Sequence, residues 1–192
     1  MGRLPRAAQQ SWHTGPQRVE SGRIGSKKRT RVPMALEIER KFRVSGDSWR
    51  PLVVRTRRLR QAYLTKNGRL SVRVRIDGDE TGTLTIKAAR SGMERHEYEY
   101  TIPVADAEEL MLQREGSVIS KVRHIVPIGD LNWEIDVFDG ENAGLVVAEI
   151  ELDRPDRTFE RPDWLGEEVT GDRRFYNADL AKHPYTSWAK GR

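Results

Sequence analysis

From residue 34 onward the sequence alternates apolar and polar side chains with a period of two, and it returns to that pattern again and again. The first instance, MALEIERKF at 34–42, sends Leu36, Ile38 and Phe42 to one face of a strand and Glu37, Glu39 and Lys41 to the other. About eight such segments can be matched, near 35–44, 58–65, 69–77, 81–88, 95–102, 118–126, 131–138 and 145–153. Turn signals separate several of them: KNG at 66–68, DGDETG at 77–82, SG at 91–92, IGD at 128–130 and DGENAG at 139–144. Most connections therefore read as hairpins, and the chain as mainly β and antiparallel, either a sandwich or a closed barrel. Only PVADAEELMLQREG, 103–116, breaks the rhythm; Pro103 suits a first helical turn and Gly116 an end. Near the C-terminus a short segment around Trp164 precedes an expected helix from about 172 to 182, with Asp172 as N-cap and Pro184 beyond its end.

The second face of these strands is unusual. Charged residues make up 33% of the chain against 36% hydrophobic ones, so the charges need a place of their own. They fall opposite the apolar residues: Arg73 and Arg75 behind Val72, Val74 and Ile76; Lys87 behind Leu84 and Ile86; Arg95, Glu97 and Glu99 behind Tyr98 and Tyr100. Lys121 and Arg123 stand behind Val122, Glu134 and Asp136 behind Ile135, and Glu149 and Glu151 behind Ala148 and Ile150. Such a face is either a solvated outer skin with cross-strand ion pairs or the lining of an enclosure. Up-and-down closure would set the first strand beside the eighth and bring Glu37, Glu39, Glu149 and Glu151 together. Two carboxylates ~4 Å apart repel by about 4 kcal/mol at an effective dielectric near 20, so the cluster would raise its pKa values or hold a cation. All-oxygen ligands point to Mg²⁺ or Mn²⁺. Lys41, Arg73, Arg75, Lys87, Lys121 and Arg123 form a second, cationic zone, and the guanidinium fork matches phosphate oxygens. A cation site beside such a zone implies a small-molecule polyphosphate as partner.

Other classes fall away. With no cysteine there is no disulfide, thiolate site or cysteine nucleophile, and the four histidines lack zinc-ligand spacing. No run of 18 apolar residues exists, so no membrane-spanning helix is expected and the cytoplasm is the expected location. The formal charge of +5 resides in residues 1–33, where eight bases face the single acid Glu20 for a net +7; residues 34–192 carry −2. That polar, basic stretch is expected to be disordered, either an arm or leader or, on the plainer reading, an artefactual upstream extension with Met34 the natural first residue. Residues 34–192 form the folded domain on this reading, nucleic acid is not an expected partner, and monomer and homodimer stay open.

The motif Glu-x-Glu-x-Lys in EIERK (37–41) resembles the signature of the CYTH family, the triphosphate tunnel metalloenzymes. The resemblance extends in order through VRVR (72–75), LTIK (84–87), EYEY (97–100), SKVRH (120–124), WEIDVF (133–138), GLVVAEIEL (144–152) and PDWLGEEVTGDRRFYNADL (162–180). It implies an eight-stranded antiparallel closed barrel, or tunnel, with the charged face inside, a few flanking helices and a C-terminal plug helix. It further implies a metal site of Glu37, Glu39, Glu149 and Glu151 with Asp136 helping, catalysis centred on Glu37, Glu39 and Lys41, and phosphate binding by Lys41, Arg73, Arg75, Lys87, Lys121 and Arg123. Glu97 and Glu99 are expected in the lumen, either on metal or orienting arginines, with Arg173 or Lys182 visiting it from the plug. Glu134 is expected near a rim, outside the site. Tyr98, Tyr100, Trp133 and Phe138 are expected to pack rather than stack on bases, and His96 and His124 to be structural or exposed. The similarity is greatest to compact bacterial inorganic triphosphatases. A nucleotide-using relative (adenylyl cyclase, nucleoside or thiamine triphosphatase) and a catalytically silent polyphosphate-binding module remain as alternatives.

Overall fold

Alternating side chains become a single curled sheet. The structure, a computed structural model, describes residues 38–67, 69–89 and 95–188. Residues 1–33 and Glu37 lie outside the described residues. The strands are β1 (Ile38–Val44), β2 (Arg55–Lys66), β3 (Leu70–Asp77), β4 (Thr81–Ala89), β5 (Arg95–Ile102), β6 (Glu115–Ile128), β7 (Leu131–Phe138), β8 (Val146–Leu152) and β9 (Leu165–Glu168). Helix α1 (Val104–Leu112) lies between β5 and β6, and the single helical turn α2 (Asn177–Leu180) follows β9. The hydrogen-bonded order is β5-β4-β3-β2-β6-β7-β8-β1-β9, with every neighbour antiparallel. Register breaks in β2 around Tyr63, against both β3 and β6, bend that strand. Six ladder steps separate β1 from β4, ~29 Å in a flat sheet at about 4.8 Å per step. Lys41 of β1 and Lys87 of β4 nevertheless border one cavity, so the sheet wraps around a bore. This is the expected mainly β tunnel with the charged face inside, but with nine described strands rather than eight, because Leu165–Glu168 pairs with the side of β1 that β8 leaves free.

The apolar face is turned outward and covered. Phe42, Trp133, Ile135, Ala148 and Ile150 pack with Trp49, Trp164 and Phe159 from the connections around 45–54 and 153–164. Helix α1 covers Ala62, Val74 and Ile76 with Ala107 and Met111. At one end of the bore Ile119, Phe138, Leu145 and Val147 meet Phe175, Leu180 and Ala181 of the C-terminal segment. Burial of whole side chains of this size contributes roughly 1.5–3 kcal/mol each. Among the described residues no helix is long and apolar enough to cross a membrane.

Several boundaries differ from the pattern. Strand β2 starts at Arg55, α1 stops at Leu112, and β6 takes over from Glu115, because ladder bonds to β2 claim those residues. Gly116, expected to end the helix, lies inside β6 at φ +74°. The expected helix at 172–182 divides into a 3₁₀ turn, Arg173–Phe175, and α2. Tyr176 is extended between them (φ −80°, ψ 133°), which lets Phe175 and Leu180 both reach the apolar plug. Asp172 does cap the first turn, accepting from the Arg174 amide.

Candidate active site

Strand parity decides what enters the bore. In β1 and β8 the register sets Glu39 opposite Glu151 and Lys41 opposite Glu149; β7 adds Glu134 opposite Glu149. On the far wall β3 places Arg73 opposite Thr85 and β4 places Lys87 opposite Glu97. Of the residues expected in the site, Glu39, Lys41, Arg73, Arg75, Lys87, Lys121, Arg123, Asp136, Glu149 and Glu151 share this inner face; Glu37 lies outside the described residues.

Two cavities open onto that face. One, about 440 Å³, is bordered by Glu39, Lys41, Tyr63, Lys66, Arg73 and Lys87, with Thr170, Tyr176 and Asn177 contributed by the C-terminal segment. The other, about 470 Å³, is acidic and bordered by Glu39, Glu134, Glu149, Glu151, Asp130 and Asp153. Lys41 stands between them. Its Nζ lies 2.6 Å from Glu149 and 3.1 Å from Glu39. Burial pushes the Lys41 ammonium down, but Glu149 and Glu39 outweigh it and hold the pKa above the ordinary lysine value.

Behind Lys41 is a buried ionic network. Arg123 donates from Nε to Asp136 Oδ1 and from Nη2 to Asp136 Oδ2, both at 2.7 Å, and from Nη2 to Glu149 at 2.9 Å. It also pairs with Glu134, and Lys121 pairs with Asp136. Burial pushes Asp136 and Glu149 up, yet the surrounding cations, Lys121 foremost, hold both carboxyls below the ordinary range. Glu134, by contrast, is raised, burial being the main cause. Both oxygens of Asp136 are therefore engaged by bases, and Lys121 is buried with it.

The far wall is different. Arg73 donates to Thr85 at 3.3 Å, and Thr85 donates on to Glu99 at 3.1 Å; Lys87 lies 3.0 Å from Glu97. Glu97 and Glu99 thus contact bases or their hydroxyl relay. The Nε atoms of both Arg73 and Arg75 are buried and have no partner among the described residues. Burial, then Arg73, pushes the Arg75 guanidinium below its ordinary value. Two neighbouring half-buried cations, each with a buried Nε short of an acceptor, make a ready anion site.

Donor chemistry tests the fit for a divalent cation. Glu39, Glu149 and Glu151 border one cavity and offer only oxygen, which suits a hard ion. Among the described residues no three acids or histidines already stand at ligand spacing, since Glu149 is drawn toward Lys41 and Arg123.

Other expectations are corrected here. Arg173 and Lys182 are exposed and border neither cavity; Tyr176 and Asn177 do so instead. Tyr98 and Tyr100 are exposed rather than packed, because α1 covers β2–β4 and stops short of them. Trp133 and Phe138 are buried as expected, and His124 packs 5.1 Å from the Trp49 ring. Glu134, left outside by the sequence reading, pairs with Arg123. Tyr63, Lys66, Thr170 and Tyr176 had no charge-alternation signal to reveal them.

A β tunnel lined by carboxylates on one wall and by acceptor-poor arginines on the other defines a class of protein built to take an anion. The chain belongs to the CYTH domain family, whose model matches residues 35–176. It is 46% identical over 156 residues to an inorganic triphosphatase of Acetivibrio thermocellus, covering 81% of this chain and 99% of that protein. It is 38% identical over 150 residues to an inorganic triphosphatase of Nitrosomonas europaea, covering 76% and 96%. A crystal structure of an inorganic triphosphatase superposes with a TM-score of 0.62 at 35% identity, covering 77% of this chain and 95% of that one.

Proposed function

We propose that this chain is a metal-dependent inorganic triphosphatase that hydrolyses tripolyphosphate to pyrophosphate and phosphate inside the bore. The observation that carries the reading is the half-buried Arg73–Arg75 pair, whose buried Nε atoms lack partners among the described residues, opposite a carboxylate wall. The family is generally metal-dependent, and two relatives that the match covers almost end to end are inorganic triphosphatases, which supports it.

Glu37, Glu39, Glu149 and Glu151 are the residues that would hold Mg²⁺ or Mn²⁺. When bound, such an ion neutralises phosphoryl oxygens and makes a water more acidic. Asp136 acts one step back, orienting Lys121 and Arg123. Arg73 and Arg75 receive phosphoryl oxygens with their forks, Lys87 adds a point charge, and Lys41 stays protonated to meet the substrate from the acidic wall. In the reaction a water oxygen bonds to the terminal phosphorus and gives up a proton to solvent, the bond to the bridging oxygen breaks, and pyrophosphate leaves with the electron pair. The inner-face cations offset the charge that builds on that leaving oxygen, and no covalent enzyme intermediate is required. A soluble inorganic substrate and a chain without cysteine fit work in the cytoplasm.

The test is phosphate release from tripolyphosphate, ATP and thiamine triphosphate with Mg²⁺ or Mn²⁺. Tripolyphosphate is expected to be the best substrate, and Glu39→Gln to slow its turnover by about 10²-fold. A Glu39→Gln enzyme as fast as the parent removes the metal assignment. Faster turnover of either organic triphosphate replaces this reading with a nucleotide- or thiamine-directed one, and binding without release in the parent replaces it with a silent binding module.

A further inference from the structure

The inward residues of β3 read Ser71, Arg73, Arg75, Asp77: a hydroxyl, two cations and then an acid. Successive positions on one face of a strand are roughly 6.6 Å apart, so Asp77 stands one step beyond the arginine row, in line with it. Directly opposite it on β2 is Leu59; Arg57, two residues earlier on the same inner face and opposite Arg123 of β6, reaches Asp77 diagonally. Arg57 donates from Nε to Asp77 Oδ1 at 3.1 Å and pairs through Nη2 with Oδ2, a two-point contact that uses both carboxylate oxygens. Neither side chain is deeply buried, so the pair can exchange partners with a ligand. The cavity beside Arg73 is closed on another side by Tyr176 and Asn177.

We propose that the Arg57–Asp77 ion pair is a length stop, which ends the cationic row after Arg75 and restricts the bound polyphosphate to three phosphoryl groups. The inference rests on the triphosphatase reading above. A fourth phosphoryl group continuing along the row meets the Asp77 carboxylate, while the guanidinium that holds that carboxylate, Arg57, is already neutralised. The stop is a property of the pair: removing the acid both lifts the repulsion and frees Arg57, whereas removing the base leaves the acid bare.

The test compares kcat/KM for tetrapolyphosphate and tripolyphosphate, from initial rates of phosphate release with Mg²⁺. Tetrapolyphosphate plus water gives tripolyphosphate plus phosphate, by the same cleavage at the terminal phosphorus. The parent is expected to favour tripolyphosphate. Asp77→Asn, which keeps the side-chain size, is expected to raise the tetra-to-tri ratio by about tenfold, the worth of one charge-assisted contact. Arg57→Gln is expected to lower that ratio below the parent's. A pair that only braces the strands slows both substrates alike and leaves the ratio unchanged in both variants, which overturns the proposal, as does a parent that prefers tetrapolyphosphate. If Asp77→Asn does not fold, the direction of the Arg57→Gln ratio decides. A parent that hydrolyses neither salt sinks the triphosphatase reading itself.

Discussion

Lys121 shows how far a residue's partners alter its meaning. Its position on an inner face made it a phosphate ligand by pattern, but its ammonium is buried against Asp136, which Arg123 also holds. Breaking a buried pair leaves the remaining charge without compensation, at a cost of roughly 3–5 kcal/mol. Lys121→Met is therefore expected to lower the unfolding free energy by about 3 kcal/mol in urea denaturation, in addition to any loss of turnover. An unchanged midpoint would mean that Lys121 faces the bore as a free cation. Arg73, on the same face, has no such carboxylate contact, and nothing in the alternation of residues distinguishes the two.

At the scale of elements, the C-terminal segment is tied to the barrel at several points, through Lys41, Asn142 and Glu141 among others, and most tightly at β6. Ser117 of β6 donates its amide to the Ala181 carbonyl at 2.7 Å, and a Cβ on Gly116 would clash with that same oxygen. Gly116 also sits at φ +74°, where side chains other than hydrogen are strained. Gly116→Ala is expected to cost about 1–3 kcal/mol and to loosen residues 173–181. Tyr176 and Asn177 border the substrate cavity, so KM for tripolyphosphate should rise several-fold while α1 keeps its protection. Hydrogen exchange read separately on 173–181 and on α1 checks this; uniform deprotection would point to global destabilisation. The expected continuous helix here failed for a tertiary reason, since the extended Tyr176 is what carries two apolar side chains to one plug.

Across the whole molecule the buried network makes stability depend on acid. Asp136 and Glu149 have folded pKa values below the unfolded ones near 4, so the unfolded chain takes up protons first as pH falls. Their contribution is complete above about pH 5 and is lost as pH drops through about 4 toward the folded values. Glu134 is shifted upward and works in the opposite sense, favouring the fold slightly on mild acidification. Urea midpoints are expected to change little from pH 7 to about 5 and to fall steeply below about 4; a midpoint that climbs steadily into acid contradicts the network. Much of this architecture was legible in the chain, because side-chain alternation is a local property: it assigned eight of the nine described strands, all but the four-residue β9, with the antiparallel order of hairpins and the charged residues of the inner face, including Glu39 with Glu151 and Arg73 with Arg75. Which charges neutralise one another was not legible. Arg123 meets Glu134 and Asp136, and Arg57 meets Asp77, through the register of neighbouring strands, which alternation alone does not set; Tyr176 comes beside Lys41 and Arg73 only because the sheet curls, and the free energy of each charge depends on the partners and burial so supplied.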